Sequence, residues 1–542
     1  MKQAFFEFGK KSLAILLSVI MLMGCGVTEI YNKKSLSIAI IGRPMTLDAA
    51  KVEDVFSMTC LSPMKSTLFR LNEKNEPEAY LADSVEVSDD GCIYTIHLKK
   101  GLHYSNGDLV DAADYVFGIR RMADPVTASP AVRMIQDCCR IKNVNEVFRG
   151  EMPVDSLGVV RIDAETFIVK LEEPCPYFLL LLCSDNFSPC KKEFFNSCYT
   201  TYGSSPETVL YAGPYMVDRY EPLGTEMHFV KNPYFFDPDE TQPDELTIRT
   251  VTDVQQAMMS YQTGLVDITQ TEDHFVQLAK GDASLKQNLS GNVGFFNGNW
   301  RTSDFWKNKN MRLALMNSVD REAFVKNVKY DTACSLTRLI PEGLATEPDG
   351  TDFGTPKDRY KNICSYDPEK AKQYYEKGKK ELGKETFKLK MIVSQTNKEV
   401  AVAVAAGWEK TLPGLTIDVQ IMPLAQWLSE IYGDFYDLDF TNYSADIPDP
   451  YCFFQFFDAG NPINAEGYDN ETVQSFYNMS KYETDPEIRS ALLHETEDAI
   501  MEDAALIPIY ASGGSWLIKD EIRGVNLGVS GMMPDLSGIR KG

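Results

Sequence analysis

From Cys92 to Leu98 the apolar residues Cys92, Tyr94, Ile96 and Leu98 alternate with other residues, the period-two pattern of a half-buried strand. Strand signals begin earlier, at Leu36. The alternation recurs at Phe387, Leu389, Met391 and Val393, and again at Ile417, Val419 and Ile421. Between these two runs lies an apolar helical stretch from Glu399 to Leu412, stopped by Pro413-Gly414. Strand, helix and strand at that spacing predict a parallel crossover unit. Helix starts are equally marked. Asp111, with Asp114 three positions on, predicts a capped helix whose Tyr115, Ile119 and Met122 share one face. Asp367-Pro368 and Asp485-Pro486 each read as an N-cap followed by a proline at the first helical position. The pattern predicts a mixed α/β protein of several lobes.

One stretch breaks this pattern. Lys2, Lys10 and Lys11 precede an apolar run from Leu13 to Met23. A charged leader, a short apolar core and a small residue before the cut are the layout of a secretory signal peptide. The core is shorter than the roughly 20 residues needed to span a bilayer. Leu22-Met23-Gly24-Cys25 resembles the bacterial lipobox, which implies that residues 1–24 are removed and that Cys25 is acylated. Residues 25–35 are then a polar tether. The working protein is expected outside the cell, on the extracytoplasmic face of the membrane, held there by lipid alone.

Composition narrows the function. A chain of 542 residues exceeds one core, and its 44% hydrophobic content is that of a folded globule. The net charge is −24, and since the leader carries +2 the remainder carries −26. Such a surface repels nucleic acid, which needs clustered Lys and Arg. Eleven cysteines remain after Cys25, an odd number without CxxC spacing, and read as small buried hydrophobes. Cys183 and Cys190 are the closest plausible disulfide. The five histidines lie apart from one another and from acidic clusters, so no metal or other cofactor is implied. No G-x-S-x-G elbow, P-loop or G-x-G-x-x-G after a strand is present, and nothing singles out a carboxylate pair for hydrolysis. An enzyme is not expected. Ser512-Gly513-Gly514-Ser515 reads as loop punctuation.

A series of motifs then runs in one order along the chain. It comprises Leu81-Ala82-Asp83-Ser84, Ser88-Asp89-Asp90-Gly91, Tyr104-Ser105-Asn106-Gly107, Ala113-Asp114-Tyr115-Val116-Phe117 and Thr127-Ala128-Ser129-Pro130. Glu173-Pro174-Cys175-Pro176-Tyr177-Phe178, Gly213-Pro214-Tyr215, Lys231-Asn232-Pro233-Tyr234, Met311-Arg312-Leu313-Ala314-Leu315 and Ile507-Pro508-Ile509-Tyr510 continue it. Together they resemble the periplasmic oligopeptide-binding proteins, extracellular solute-binding family 5 of peptide ABC importers. The resemblance implies a two-lobe clamshell of the periplasmic-binding-protein type (type II, class C) with an extra subdomain on lobe one. Lobe one would take residues 36–70, 203–292 and 507–542, the subdomain 71–202 and lobe two 293–506. The hinge would lie near Phe295-Phe296-Asn297 and Ile507-Pro508.

The resemblance also implies a site. An aspartate between the lobes receives the ammonium of a peptide ligand, and Asn442-Tyr443-Ser444-Ala445-Asp446 matches that stretch, which makes Asp446 the anchor. An ammonium taken from water loses several kcal/mol of solvation unless an ionised partner meets it. Backbone pairing by strand addition would make binding independent of peptide sequence. Asn442, Tyr443 and Ser444 from lobe two and Val55, Phe56 and Ser57 from lobe one are the segments expected to pair. Tyr510 is expected to wall a side-chain pocket, whereas Tyr451, Phe453 and Phe454 read as core. The chain departs from the family where Phe440 replaces an arginine near the ligand's carboxyl end and Met134 a tyrosine after Thr-Ala-Ser-Pro. The function implied is capture of oligopeptides for delivery to an ABC permease and its ATPase subunits. Relatives binding dipeptides, nickel chelates, haem, oligosaccharides or opines, and peptide-pheromone receptors, are the alternatives.

Overall fold

The computed structural model describes residues 35–220, 224–239, 243–329, 332–529 and 534–542. Cys25 and its leader lie outside the described residues. Three larger sheets organise the chain. A seven-stranded sheet runs in the order Leu285–Gln287, Ser515–Ile518, Ile268–Thr271, Ser35–Ile41, Glu245–Val251, Glu226–Lys231 and Tyr215–Tyr220. A six-stranded sheet runs Ala333–Ser335, Ile507–Ser512, Asn292–Gly298, Leu438–Ser444, Phe387–Ser394 and Leu415–Met422. A four-stranded antiparallel sheet, Ala82–Val87, Ile93–Leu98, Thr166–Lys170 and Val159–Arg161, forms the subdomain. Two lobes and an added subdomain are thus in place.

Local sequence explains the elements that position the cleft. Phe387–Ser394 and Leu415–Met422 pair in parallel from Phe387↔Leu415 to Ser394↔Met422. The crossover between them is the helix Lys398–Thr411. Its Val400, Ala401, Val404, Ala405 and Trp408 are buried, a single face at helical spacing. Trp408 packs edge-on against Phe296 and donates its indole N–H to the Leu315 carbonyl at 2.9 Å. Asp111 caps the helix Ala112–Ala123, with Asp114 accepting from the Asp111 N–H, and Tyr115, Ile119 and Met122 are buried. Asp367 and Asp485 cap Pro368–Leu382 and Pro486–Glu502, each with proline in the first turn.

The sheets relocate the hinge. Asn292–Gly298 and Ile507–Ser512 lie wholly within the six-stranded sheet, paired with one another. Phe295-Phe296-Asn297 and Ile507-Pro508 are therefore lobe-two core, and all five are buried. Lobe two extends to Ser512. The chain crosses between lobes at residues 288–291 and at Gly513-Gly514, and the two crossings touch where the Asn288 N–H donates to the Gly514 carbonyl at 3.2 Å. The run read as loop punctuation is thus one of the crossings.

The subdomain is joined to both lobes. Toward lobe one, Arg121 makes a buried bidentate pair with Asp48 at 2.9 and 2.7 Å, its guanidinium 4.2 Å from the Phe195 ring centre. Toward lobe two, Tyr177 stacks on Tyr451 at 4.6 Å, and Arg489 lies 5.4 Å from the Tyr177 ring while gripping Asp449 at 2.8 and 2.9 Å. Apolar contact runs unbroken from the subdomain into lobe two, whereas Leu36, Ile38, Tyr215, Phe229, Ile248 and Trp516 form a separate lobe-one core. The eleven described cysteines are all unpaired, Cys183 and Cys190 included, and most are buried.

Candidate functional site

The strand Leu438–Ser444 changes character along its length. Leu438 to Thr441 are buried, Asn442 and Ser444 are exposed, and Tyr443 is half-buried. On one side it pairs with Asn292–Gly298 over its full length. On the other, Phe387–Ser394 meets only Leu438 and Asp439. The far side of Asn442–Ser444 therefore has no strand partner among the described residues, and its backbone groups are free to receive one. The Asn292 side-chain amide donates to Ser444 Oγ at 2.8 Å and holds the end of the strand.

Asp446 follows in the bend just beyond. The Ala445 N–H donates to the Gly291 carbonyl at 2.7 Å, which ties this bend to the first interlobe crossing. Asp449, not Asp446, caps the next turn by accepting from the Tyr451 N–H at 2.9 Å. The Asp446 carboxylate is left exposed along one side and walled by protein on the others. Burial by those walls raises its pKa above the ordinary carboxylate value, and the Tyr443 hydroxyl, 3.2 Å away, and the positive charge of Arg133 pull it back. Arg133 belongs to the subdomain. It precedes the turn Met134–Cys138 and pairs with Asp137 at 3.5 Å. Asp446 also raises the thiol pKa values of Cys138, from the subdomain, and of Cys452, from lobe two, after burial itself. Two parts of the molecule thus meet around one carboxylate, beside an interlobe crossing.

The lobe-one expectations need correction. Val55, Phe56 and Ser57 are not a strand; they open the helix Val55–Leu61, capped by Asp54, whose side chain accepts from the Ser57 N–H. Ser57 is fully buried, its Oγ taking the N–H groups of Met45 and Thr46 at 2.8 and 3.3 Å. The Val55 carbonyl accepts from Thr59 Oγ1. The Asp-Val-Phe-Ser run is a capping signal that the expectation of pairing overrode. Tyr510 is also not a pocket wall. It is fully buried, stacked on Phe324 at 6.0 Å, with Lys329 Nζ 4.6 Å from its ring. Tyr451, Phe453 and Phe454 are buried, as core residues should be. Sequence reasoning missed Arg133, one residue before the Met134 it singled out, and Gln455, whose side-chain amide donates to the Tyr443 hydroxyl at 3.1 Å.

Residues 76–465 match the model of the bacterial extracellular solute-binding proteins, family 5. The chain belongs to that family. The family binds solutes rather than transforming them, so the protein is not an enzyme. Over 551 residues it is 26% identical to the dipeptide-binding protein of Lactococcus lactis, with 97% of each chain covered. It is 27% identical to the substrate-binding domain of an oligopeptide ABC transporter from Bacillus anthracis, at a TM-score of 0.72 over 94% of this chain and 99% of that one. The unliganded open form of the murein tripeptide-binding protein MppA superposes at a TM-score of 0.81, with 21% identity over 94% of this chain and 98% of that one. The family fold is the two-lobe clamshell described above.

Proposed function

We propose that the protein captures peptides outside the cell and passes them to an ABC permease powered by separate ATPase subunits. The observation that carries this reading is the solvent-accessible Asp446 carboxylate, standing at the unpaired end of a strand and beside an interlobe crossing. The ammonium of a peptide meets Asp446, and its first residues add alongside Asn442, Tyr443 and Ser444. One fixed carboxylate defines the amino-terminal end whatever side chains follow. The relatives support the ligand class, since the Lactococcus lactis protein is described as dipeptide-binding and the Bacillus anthracis one as the substrate-binding domain of an oligopeptide transporter. Phe440, at the place of the family's arginine for the carboxyl end, is buried in the lobe-two core, so this position supplies no cation to a ligand carboxylate.

Closure of the lobes is a population shift. A ligand stabilises the closed state only by touching both lobes more favourably in it. Acylation of Cys25 holds the receptor at the membrane, and Cys25→Ser releases the chain into the medium and abolishes incorporation of labelled fatty acid. The main experiment is calorimetry of the mature chain with tri- to pentapeptides, free and N-acetylated. Free peptides bind, and acetylation weakens them by about 2–5 kcal/mol, the range for leaving a buried charge unpaired. Equal affinity for both sets removes the ammonium anchor.

A further inference from the structure

The hydrogen bonds around Asp446 have a direction that the side-chain chemistry settles. Gln455 Nε2 lies 2.8 Å from the Cys452 carbonyl and 3.1 Å from the Tyr443 hydroxyl. A carbonyl only accepts, so the nitrogen of the amide must face that side, and its second hydrogen falls on the Tyr443 oxygen. With a lone pair so engaged, the Tyr443 hydroxyl turns its own proton to Asp446 Oδ2, 3.2 Å away. The ring carrying it is fixed edge-on against Phe456 at 4.9 Å and Phe453 at 6.0 Å.

We propose that Gln455 and Tyr443 are positioning residues for Asp446, a relay that keeps the carboxylate aimed and charged in the empty cleft. The proposal rests on the ammonium-anchor reading and deepens it. Burial works against an ionised Asp446 before any ligand arrives. The groups facing it are few. Arg133 approaches from the subdomain, itself shared with Asp137, and Cys138 from the same turn; Tyr443 and Cys452 approach from lobe two. The two thiols are neutral over the working range, Cys138 pushed up to about 12 by burial and then by Asp446, and Cys452 pushed well above the ordinary thiol value by the same two causes. Among the described residues, Arg133 and the Tyr443 hydroxyl favour the ionised form. Removing the hydroxyl lets the acid protonate at higher pH, and a protonated acid does not hold an ammonium.

The test measures retention by the mature chain of a randomised tetrapeptide library with free amino termini, read by mass spectrometry from pH 4.5 to 8. The N-acetylated library is the control. Wild-type retention falls toward acid as Asp446 protonates. In Tyr443→Phe the midpoint of that fall moves up by about 0.5–1 pH unit. Gln455→Leu, which frees the hydroxyl to rotate, moves it the same way by less. An unmoved midpoint in both variants, or a loss uniform across pH, overturns the relay. Should Tyr443→Phe fail to fold, Gln455→Leu alone decides. Asp446→Asn separates the two claims: if it abolishes retention while the relay variants leave the midpoint in place, the anchor stands and the relay falls. If it retains peptide like wild type, the anchor itself falls.

Discussion

Two aspartates border the strand Leu438–Ser444, and burial raises the pKa of both. Asp446, beyond the strand's exposed end, is open to solvent on one side and has a phenolic hydroxyl and a guanidinium to favour its charge. Asp439, at the buried end, is fully enclosed; its Oδ2 takes a bond from Thr441 Oγ1 at 3.0 Å and its Oδ1 has no hydrogen-bond partner among the described residues. Burial pushes Asp439 up to about 7, and Glu466, also enclosed, rises further under its own burial and the nearby Asp439 charge. Asn297, opposite Asp439 in the sheet, has a buried amide nitrogen without a partner among the described residues. A perturbed carboxyl therefore marks a ligand site only where a ligand can reach it and where charge is locally favoured. The enclosed pair is a feature of folding, and the open one is the proposed anchor.

The largest effect expected on this strand falls between the two acids. Phe440 is fully enclosed by Phe296, 4.8 Å away, and by Tyr510, 6.1 Å away. Replacing it by the arginine of the related receptors would bury an unpaired cation and lose an aromatic contact. Phe440→Arg is expected to cost more than about 4 kcal/mol of stability and to create no carboxylate clamp. A folded variant of wild-type stability with a new preference for free carboxyl termini would mean that Phe440 faces the ligand after all.

The next contrast is in binding. Asp446→Asn should weaken free-amine peptides by about 2–5 kcal/mol, whereas Asp439→Asn, at the buried end of the strand and sealed from solvent, should leave affinity within about threefold. Calorimetry of the two variants with one peptide compares them directly. Comparable losses would erase the distinction between the two carboxyls.

Much of this was legible from residues whose effects are local. Asp111, Asp367 and Asp485 cap helices within three positions, and the crossover from Phe387 to Met422 declares itself by its own periodicity. The family resemblance put Asn442 to Ser444 in lobe two and Asp446 between the lobes, and the structure sets them at the end of a strand and in the bend beyond it, beside the first crossing. What escaped depends on contacts distant in sequence. Whether Ile507–Ser512 sits in the lobe-one or the lobe-two sheet is decided by its pairing with Asn292–Gly298, two hundred positions away in order of magnitude. Tyr510 alternates correctly for a strand, yet which face meets Phe324 is not written in its neighbours. At Val55-Phe56-Ser57 the β-branched and aromatic residues favour a strand, and the Asp54 cap together with burial of Ser57 overrides that local preference. Gln455 acts through a tyrosine twelve residues upstream, across a turn that spacing alone does not describe.

The smallest effect tests what the buried pair does. Asp439 holds its proton in the folded state up to about pH 7, while in the unfolded chain it titrates near the ordinary value of about 4. Between those values the folded state binds more protons than the unfolded one. Stability from this group is therefore fully present below about pH 4 and is lost as pH rises through about 7. Glu466 adds to the loss in the same direction, because each carboxylate raises the cost of ionising the other. Asp439→Asn keeps a neutral group of the same shape in place at every pH. Its unfolding midpoint should match wild type at about pH 4 and exceed it increasingly up to pH 8, by the equivalent of about 1–3 kcal/mol for a buried polar group relieved of charge. The difference between the two proteins cancels the many other titrating groups. Thermal unfolding curves that run parallel from pH 5 to 8 would show that Asp439 is not protonated in the folded chain, and the two aspartates would then differ in access but not in charge state.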